Sequence, residues 1–427
     1  MWNKTRNKMC KAPLKWPRLC LLAALLATGG GVRAQISLPN AGRGLDGVEG
    51  AVDRLGNRLG DATAPLTNAA TGALGTLGQL ADARLNRLGD FLRSHRNTVE
   101  ADDTGQPARA HEVLLLDPDA AALSGATLVG YKLIEQGDLD GLGITYARLA
   151  TPQGTSLANA LRQLRHILPG KEISADQIHF PSGATRSTGS AAPTAPAPRG
   201  GTVGIIDGGV PPGPRIAAQN AFASGGPVPN PHAEAIASLL AGAGTAHIVV
   251  ADVYGRDPAG GNALAIARAL AWMAGQRVSV VSISLVGPAN PLLAKAIGSV
   301  QARGMIVTAA VGNDGAAAPP AFPASYTGVV AVTGVDGRGQ VLFEAGRASH
   351  LDYAAPGADL TAIGAGGKLQ HLRGTSFAAP LVAARLAALG QAGGGASAIL
   401  QRADSEATDR NRRTGRGILC ASCRKGI

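Results

Sequence analysis

Between residues 202 and 389, short apolar runs rich in Val and Ile alternate with helical stripes, and no other feature of the chain restricts its fold as much. The runs are Thr202–Ile206, Ala246–Val250, Val278–Ile283, Met305–Ala310 and Val329–Val332. Helical stretches accompany them at His232–Ala241, Ala263–Ala274, Pro291–Arg303 and Ser376–Leu389. Strands that are apolar along their length are buried on both faces, and an intervening helix returns the chain to begin the next strand in parallel. The pattern therefore predicts an α/β fold with a doubly wound, mostly parallel sheet. In such sheets ligands bind beyond the carboxyl ends of the strands, so polar residues at those ends are the candidate functional groups.

Three stand out. Asp207 closes the strand Thr202–Ile206, His232 opens a helix just after Pro231, and Ser376 lies in Gly374-Thr375-Ser376-Phe377-Ala378-Ala379-Pro380, a turn running into a helix. A serine hydroxyl is a weak nucleophile unless a base takes its proton, and an imidazole base needs a carboxylate to fix its tautomer and stabilise its charged form. Asn313, in Val311-Gly312-Asn313-Asp314-Gly315, follows the strand Met305–Ala310. A side-chain amide there suits donation to a developing oxyanion, and the Ser376 amide at a helix N-terminus is a second donor. Gly374 allows the sharp turn, and Pro380 is compatible with a first helical turn.

At these residues the chain resembles the subtilisin-like serine peptidases, the S8 or subtilase family, over roughly 201–419. The matching blocks run in family order: Gly204-Ile205-Ile206-Asp207-Gly208-Gly209, His232 with its helix, Ser284-Leu285-Val286-Gly287-Pro288, Asn313, Phe322-Pro323-Ala324-Ser325-Tyr326 and Gly374–Pro380. The resemblance implies a catalytic triad of Asp207, His232 and Ser376 with Asn313 as oxyanion donor. It implies a substrate cleft lined by Ser284, Leu285, Val286, Ala309, Ala310, Val311 and Gly312, where a polypeptide adds as an extended strand. Three places depart from the family pattern. Gly208 stands where Thr or Ser is usual, Ala233-Glu234-Ala235 replace Gly-Thr-His, and Val286 replaces a pocket-wall glycine. The bulk of Val286 suggests small or medium apolar residues before the cut. The stretch Leu240–Ile248 is too short for the family's calcium loop, so no metal and no cofactor is expected.

The N-terminal half is organised differently. Basic residues up to Arg18, the apolar run Leu19–Ala27 and Val32-Arg33-Ala34 before Gln35 read as a signal peptide over 1–34, too short to span a bilayer as a helix. Residues 35–110 form a helical or spacer segment. It carries apolar stripes at Leu45, Val48, Val52, Leu55, Leu59 and at Leu77, Ala81, Leu85, Leu88, Leu92, either a paired-helix duplication or a loosely ordered spacer. Strand candidates at Glu112–Leu116, Leu128–Ile134, Gly143–Leu149 and Gln177–Phe180, with a helix striped by Leu157, Leu161, Leu164 and Leu168, predict a small α+β module over 111–180. By size and position it resembles the family's prodomain, an intramolecular inhibitor released by autocleavage. A permanently attached accessory domain is the other reading. Pro181–Gly200, made of Ser, Ala, Thr, Pro and Gly with two arginines, reads as an exposed linker.

The formal charge of +11 does not indicate nucleic acid. Residues 1–34 carry +7 and residues 401–427 carry +4, which leaves the body neutral, and aromatic residues are only 3% of the chain. Neither a basic face nor stacking platforms are present. Cys420 and Cys423, in the tail 420–427, read as a local disulfide or a pair of tail thiols. The expectation is a secreted or periplasmic serine endopeptidase that processes itself, without a membrane span after signal cleavage. The alternative is a catalytically weak or inactive peptide-binding protein on the same fold.

Overall fold

The computed structural model describes residues 78–190, 200–364 and 367–425. All of them belong to one compact unit of the chain, Ala69–Ile427. The signal-like segment, the stripe at Leu45–Leu59, Leu77 and residues 191–199 lie outside the described residues.

Seven parallel strands form the central sheet: β9 (Thr202–Asp207), β10 (Ile216–Ala221), β11 (His247–Asp252), β12 (Val280–Ile283), β14 (Ile306–Ala310), β15 (Val330–Val335) and β16 (Tyr353–Pro356), in the order β10-β11-β9-β12-β14-β15-β16. Helices α5 (Ala263–Gly275) and α6 (Pro291–Ala302) cover one face, and α4 (Pro231–Gly242), α7 (Thr375–Gly390) and α8 (Ala396–Glu406) cover the other. The two-residue alternation of a strand divides its side chains between two cores. In β9, Val203 and Ile205 pack with α4 and α7, while Ile206 packs with α5. Gly204 admits α5 closely, since a Cβ there would lie 2.7 Å from the sulfur of Met273.

Ahead of the sheet stands a four-stranded antiparallel layer in the order β4-β5-β3-β6: β3 (Glu112–Leu116), β4 (Lys132–Leu139), β5 (Ile144–Ala150) and β6 (Ile173–Ser174). Its inner side carries α2 (Ala120–Leu128) and α3 (Leu157–Ile167), and Leu157, Leu161 and Leu164 are wholly buried there. Its outer side, through Leu114, Leu116, Leu139, Ile144 and Tyr146, joins the core formed by α5 and α6.

Several expectations need correction. The run expected as a strand over Leu128–Ile134 begins as the end of α2, and its strand starts at Lys132. The fourth sheet strand is Ile173–Ser174 rather than Gln177–Phe180, whose residues bridge to Ala108 and Asn262 instead. The segment 35–110 is not helical throughout: helix α1 (78–94) is followed by the hairpin β1 (Val99–Ala101) and β2 (Pro107–Arg109). Pro181–Gly200 is not simply a linker. Phe180–Pro181 (β7) pairs with Leu285–Val286 (β13), and Ala184–Ser190 (β8) joins the antiparallel set β17 (Leu360–Gly364) and β18 (Lys368–Arg373). The tail is tied in as well. Lys425 bridges to Thr361, Arg424 donates to the carbonyls of Ala358 and Asp336, and Cys420 and Cys423 form a disulfide. No helix among the described residues is long and apolar enough to cross a membrane.

Candidate active site

Asp207 ends β9 at the carboxyl edge of the sheet, wholly buried. Its Oδ1 accepts from the Gly208 N–H at 2.8 Å, and its Oδ2 lies 2.9 Å from His232 Nδ1. Asn230 caps α4 by accepting from the His232 N–H at 2.8 Å, and Pro231 opens the helix. The cap fixes the first turn, and with it the position of the imidazole. Gly208 has a packing reason to be glycine: a Cβ there would overlap the Asn230 side chain. The ring of His232 lies 5.3 Å, centroid to centroid, from that of Phe377.

Ser376 occupies the second position of α7, and this helix begins at Gly374 without a side-chain cap. Its first N–H groups therefore seek acceptors outside the helix. Thr375 N–H donates to Asn313 Oδ1 at 3.0 Å, which holds the asparagine side chain in place. Thr375 Oγ1 also bonds both backbone groups of Gly312, at 3.1 Å each. Pro380 sits in the second helical turn, not the first, and cannot donate to the Ser376 carbonyl. Ser284 Oγ donates to that carbonyl instead, at 2.8 Å. A proline in the helix is thus matched by a serine on the sheet edge.

The chain's own residues fill the space in front of Ser376. The Ser182 carbonyl oxygen accepts from the Ser376 N–H at 3.1 Å and from Asn313 Nδ2 at 2.6 Å. Gly183 follows, so close that a Cβ on it would overlap Ser376 Oγ. Gly374, at φ 143°, leaves room for this approach: a Cβ there would come within 2.8 Å of Asn313 Nδ2 and of the Gly183 Cα. Upstream, the segment runs as an antiparallel strand against β13, with Pro181 opposite Leu285 and Phe180 opposite Val286, and Ser182 N–H donates to the Ser284 carbonyl at 3.3 Å. His179 N–H donates to the Gly261 carbonyl at 2.8 Å, and Tyr254 OH donates to the His179 carbonyl at 2.7 Å. Burial pushes the His179 imidazole down to about 4.

Two buried polar atoms at this point lack a hydrogen-bond partner: Ser376 Oγ and His232 Nε2. Each is what the other needs, and the Oγ faces the Ser182–Gly183 bond. Of the expected cleft residues, Val286, Val311 and Gly312 line the cavity beside Ser182. Ser284 and Leu285 serve the bound segment through their backbones, and the Leu285 side chain lies in the core. Ala309 and Ala310 do not reach the cleft, because strand alternation sends one into each core. Glu234, beside His232, is buried, and burial raises its carboxyl above the usual range.

Sequence reasoning missed Ser182, Gly183, Thr375 and Tyr254. Thr375 stood inside the serine block and could have been found there. Ser182-Gly183 carried only a weak signal, a small pair at the head of a flexible-looking stretch.

Residues 215–408 match the family model described as "Subtilase family". Subtilisin BL from Lederbergia lenta is 32% identical over 154 residues, 36% of this chain and 56% of that protein. Subtilisin Savinase, also from Lederbergia lenta, is 31% identical over the same shares. An alkaline protease of Shouchella clausii is 31% identical, over 36% of this chain and 40% of that one. The chain thus spans about half the length of the curated relatives it matches. Among solved structures, fervidolysin from Fervidobacterium pennivorans, described as a keratinolytic enzyme related to subtilisin, superposes with a TM-score of 0.61 at 15% identity. That match covers 74% of this chain and 61% of that one, and it is a likeness of fold.

Proposed function

Because residues 215–408 belong to the subtilase family, we propose that the chain is the precursor of a secreted or periplasmic serine endopeptidase that cleaves itself between Ser182 and Gly183. The observation that carries this reading is the seat of the Ser182 carbonyl, which accepts from the Ser376 amide and from Asn313 Nδ2 while Gly183 lies against Ser376 Oγ. That is how an acyl-transfer substrate docks.

The chemistry follows from the residues. A rotation of the Ser376 side chain brings Oγ to His232 Nε2, satisfying both orphaned atoms. His232 takes the hydroxyl proton as Oγ attacks the Ser182 carbonyl carbon, and Asp207 holds the ring and stabilises its positive charge. The oxyanion forms where two donors already point, so little reorganisation is required. The bond to Gly183 breaks, His232 protonates the departing amine, and water activated by the same imidazole releases the acyl group from Ser376. Polypeptide substrates would enter as Phe180–Ser182 do, by strand addition to β13.

The module 111–180 then serves as the intramolecular inhibitor. Its sheet covers α5 and α6, and its final residues fill the cleft. Asp176 Oδ1 accepts from the Leu264 N–H at 2.9 Å in the first turn of α5, and Lys295 of α6 pairs with Asp117 and Glu172 at 2.7 Å each.

The unmade Ser376–His232 bond favours a second reading, an inactive protein that holds peptides. A fluorophosphonate probe separates the two, because an activated serine is labelled. Labelling of wild type and not of Ser376→Ala supports the enzyme, and no labelling of either contradicts it.

A further inference from the structure

On both sides of the Ser182–Gly183 bond the chain lies extended against a strand from farther along the sequence. Upstream, Phe180 and Pro181 pair with Val286 and Leu285 of β13. Downstream, β8 runs antiparallel along β18, with Ala184 opposite Arg373, Thr185 opposite Leu372, Arg186 opposite His371 and Ser187 opposite Gln370. The register then shifts once, and Ser190 stands opposite Lys368. Arg373 lies three residues before Ser376, so this pairing begins beside the nucleophile.

β8 is the outer strand of its sheet. The order is β17-β18-β8, and the other edge of β18 is taken by β17. Gln370 and Leu372 of β18 are buried, whereas Lys368, His371 and Arg373 are exposed. These side chains stand above and below the sheet, and what faces β8 is a row of backbone N–H and C=O groups. Such an edge accepts any extended chain that reaches it. Cutting the bond removes the anchor of β8 at Ser182, and the edge opens as the freed strand lifts away. A substrate whose upstream residues lie on β13 and whose scissile bond lies at Ser376 meets this edge as it leaves the site.

We propose that the edge of β18 is a second substrate-binding strand, which takes residues two to eight after the cleaved bond of an extended polypeptide, and that β8 holds that place in the precursor. The substrate class is then an unfolded chain that continues well past the cut, recognised through its backbone by strand addition. Short peptides that end near the cut forgo this contact.

The inference rests on the proteolytic reading. Its test is kcat/KM of the processed enzyme on amidated peptides that share Ile-His-Phe-Pro-Ser and continue as Gly-Ala, Gly-Ala-Thr-Arg-Ser or Gly-Ala-Thr-Arg-Ser-Thr-Gly-Ser. Extension from two to eight downstream residues is expected to raise kcat/KM about tenfold, the gain of a few backbone hydrogen bonds less the cost of ordering the peptide. N-methylation of the third, fourth and fifth downstream residues in turn should cost about fivefold at alternate positions and little between them, because every second residue of an antiparallel pair points its N–H at its neighbour. In the processed variant carrying Arg186→Pro and Ser187→Pro, the chain's own strand competes less well, and the long-to-short ratio should rise about threefold further. A ratio unchanged by that variant overturns the place-holding by β8. Equal kcat/KM at every length, or a length effect that N-methylation does not alternate, overturns the second strand and leaves the protease. No cleavage of any peptide by wild type overturns both.

Discussion

The central sheet and the contact between that sheet's helices and the N-terminal module are built from different chemistry. Inside the sheet, β9, β11, β12 and β14 bury Val, Ile and Ala on both faces, and the buried carboxylates Asp207 and Asp252 stand at the ends of β9 and β11. At the module contact an apolar centre is ringed by charge: Arg268 with Glu135, Arg109 with Asp257 at 2.6 Å, Lys295 with Asp117, and Asp176 beneath α5. Apolar cores hold regardless of pH and salt, whereas exposed ion pairs add little and are screened. Under the proposed self-cleavage, the first region persists and the second comes apart.

The largest expected effect lies in the sheet. Leu239→Ala in α4 opens a cavity against a wholly buried position and should cost about 2–5 kcal/mol of unfolding free energy in urea, with the module attached or removed. A loss under about 1 kcal/mol, or one seen only with the module present, would erase the distinction between the regions. Next, Asn313→Ala should lower peptide turnover by about 10²–10³ while leaving the sheet's unfolding midpoint in place, since one of two oxyanion donors is gone. A fall in midpoint matching the fall in turnover would make Asn313 a structural residue.

The third effect concerns pH. His179, wholly buried, is pushed by burial to about 4 from 6.5, against the smaller opposing effect of the Gln177 and Pro288 backbone. The bound state therefore favours its neutral form, and its contribution to binding is full above about 6.5 and lost as pH falls toward about 4. Asp176 runs the opposite way. Burial, then the nearby Glu112 charge, raise it from 3.8 to about 7, so its contribution is full below 3.8 and lost as pH rises through about 7. With Asp176→Asn the released module should bind more weakly at pH 5 than at pH 7, and with His179→Gln more tightly, each on the order of tenfold by calorimetry. Equal pH profiles in the two variants would refute this opposition. The smallest effect is Lys295→Ala, which should weaken module binding by less than about fivefold and lose that difference in high salt.

These contrasts also explain what the sequence disclosed. Uniformly apolar strands and Asn-capped helices are local patterns, and the helices at Pro291 and Ala263 begin where the pattern places them. Asp207 sits at the carboxyl end of such a strand and His232 at the start of a helix, so their place at the sheet edge was readable from the pattern, while their pairing, here 2.9 Å, was implied by the family resemblance. The edge strand Ile216–Ala221 was missed because it is half-exposed and interrupted by polar Gln219 and Asn220. Ser182 and Gly183 were missed for another reason: their place follows from the pairing of Phe180 and Pro181 with Val286 and Leu285, about a hundred residues on, and no local periodicity records that.

The central claim is that Ser376 cuts the bond held against it. Intact mass and N-terminal sequencing of the chain expressed without added protease test it most directly, in wild type beside Ser376→Ala. The account predicts a wild-type fragment beginning at Gly183 and a variant that stays joined across that bond. Cleavage after Ser182 in both proteins, or a wild-type fragment that begins elsewhere, would contradict it.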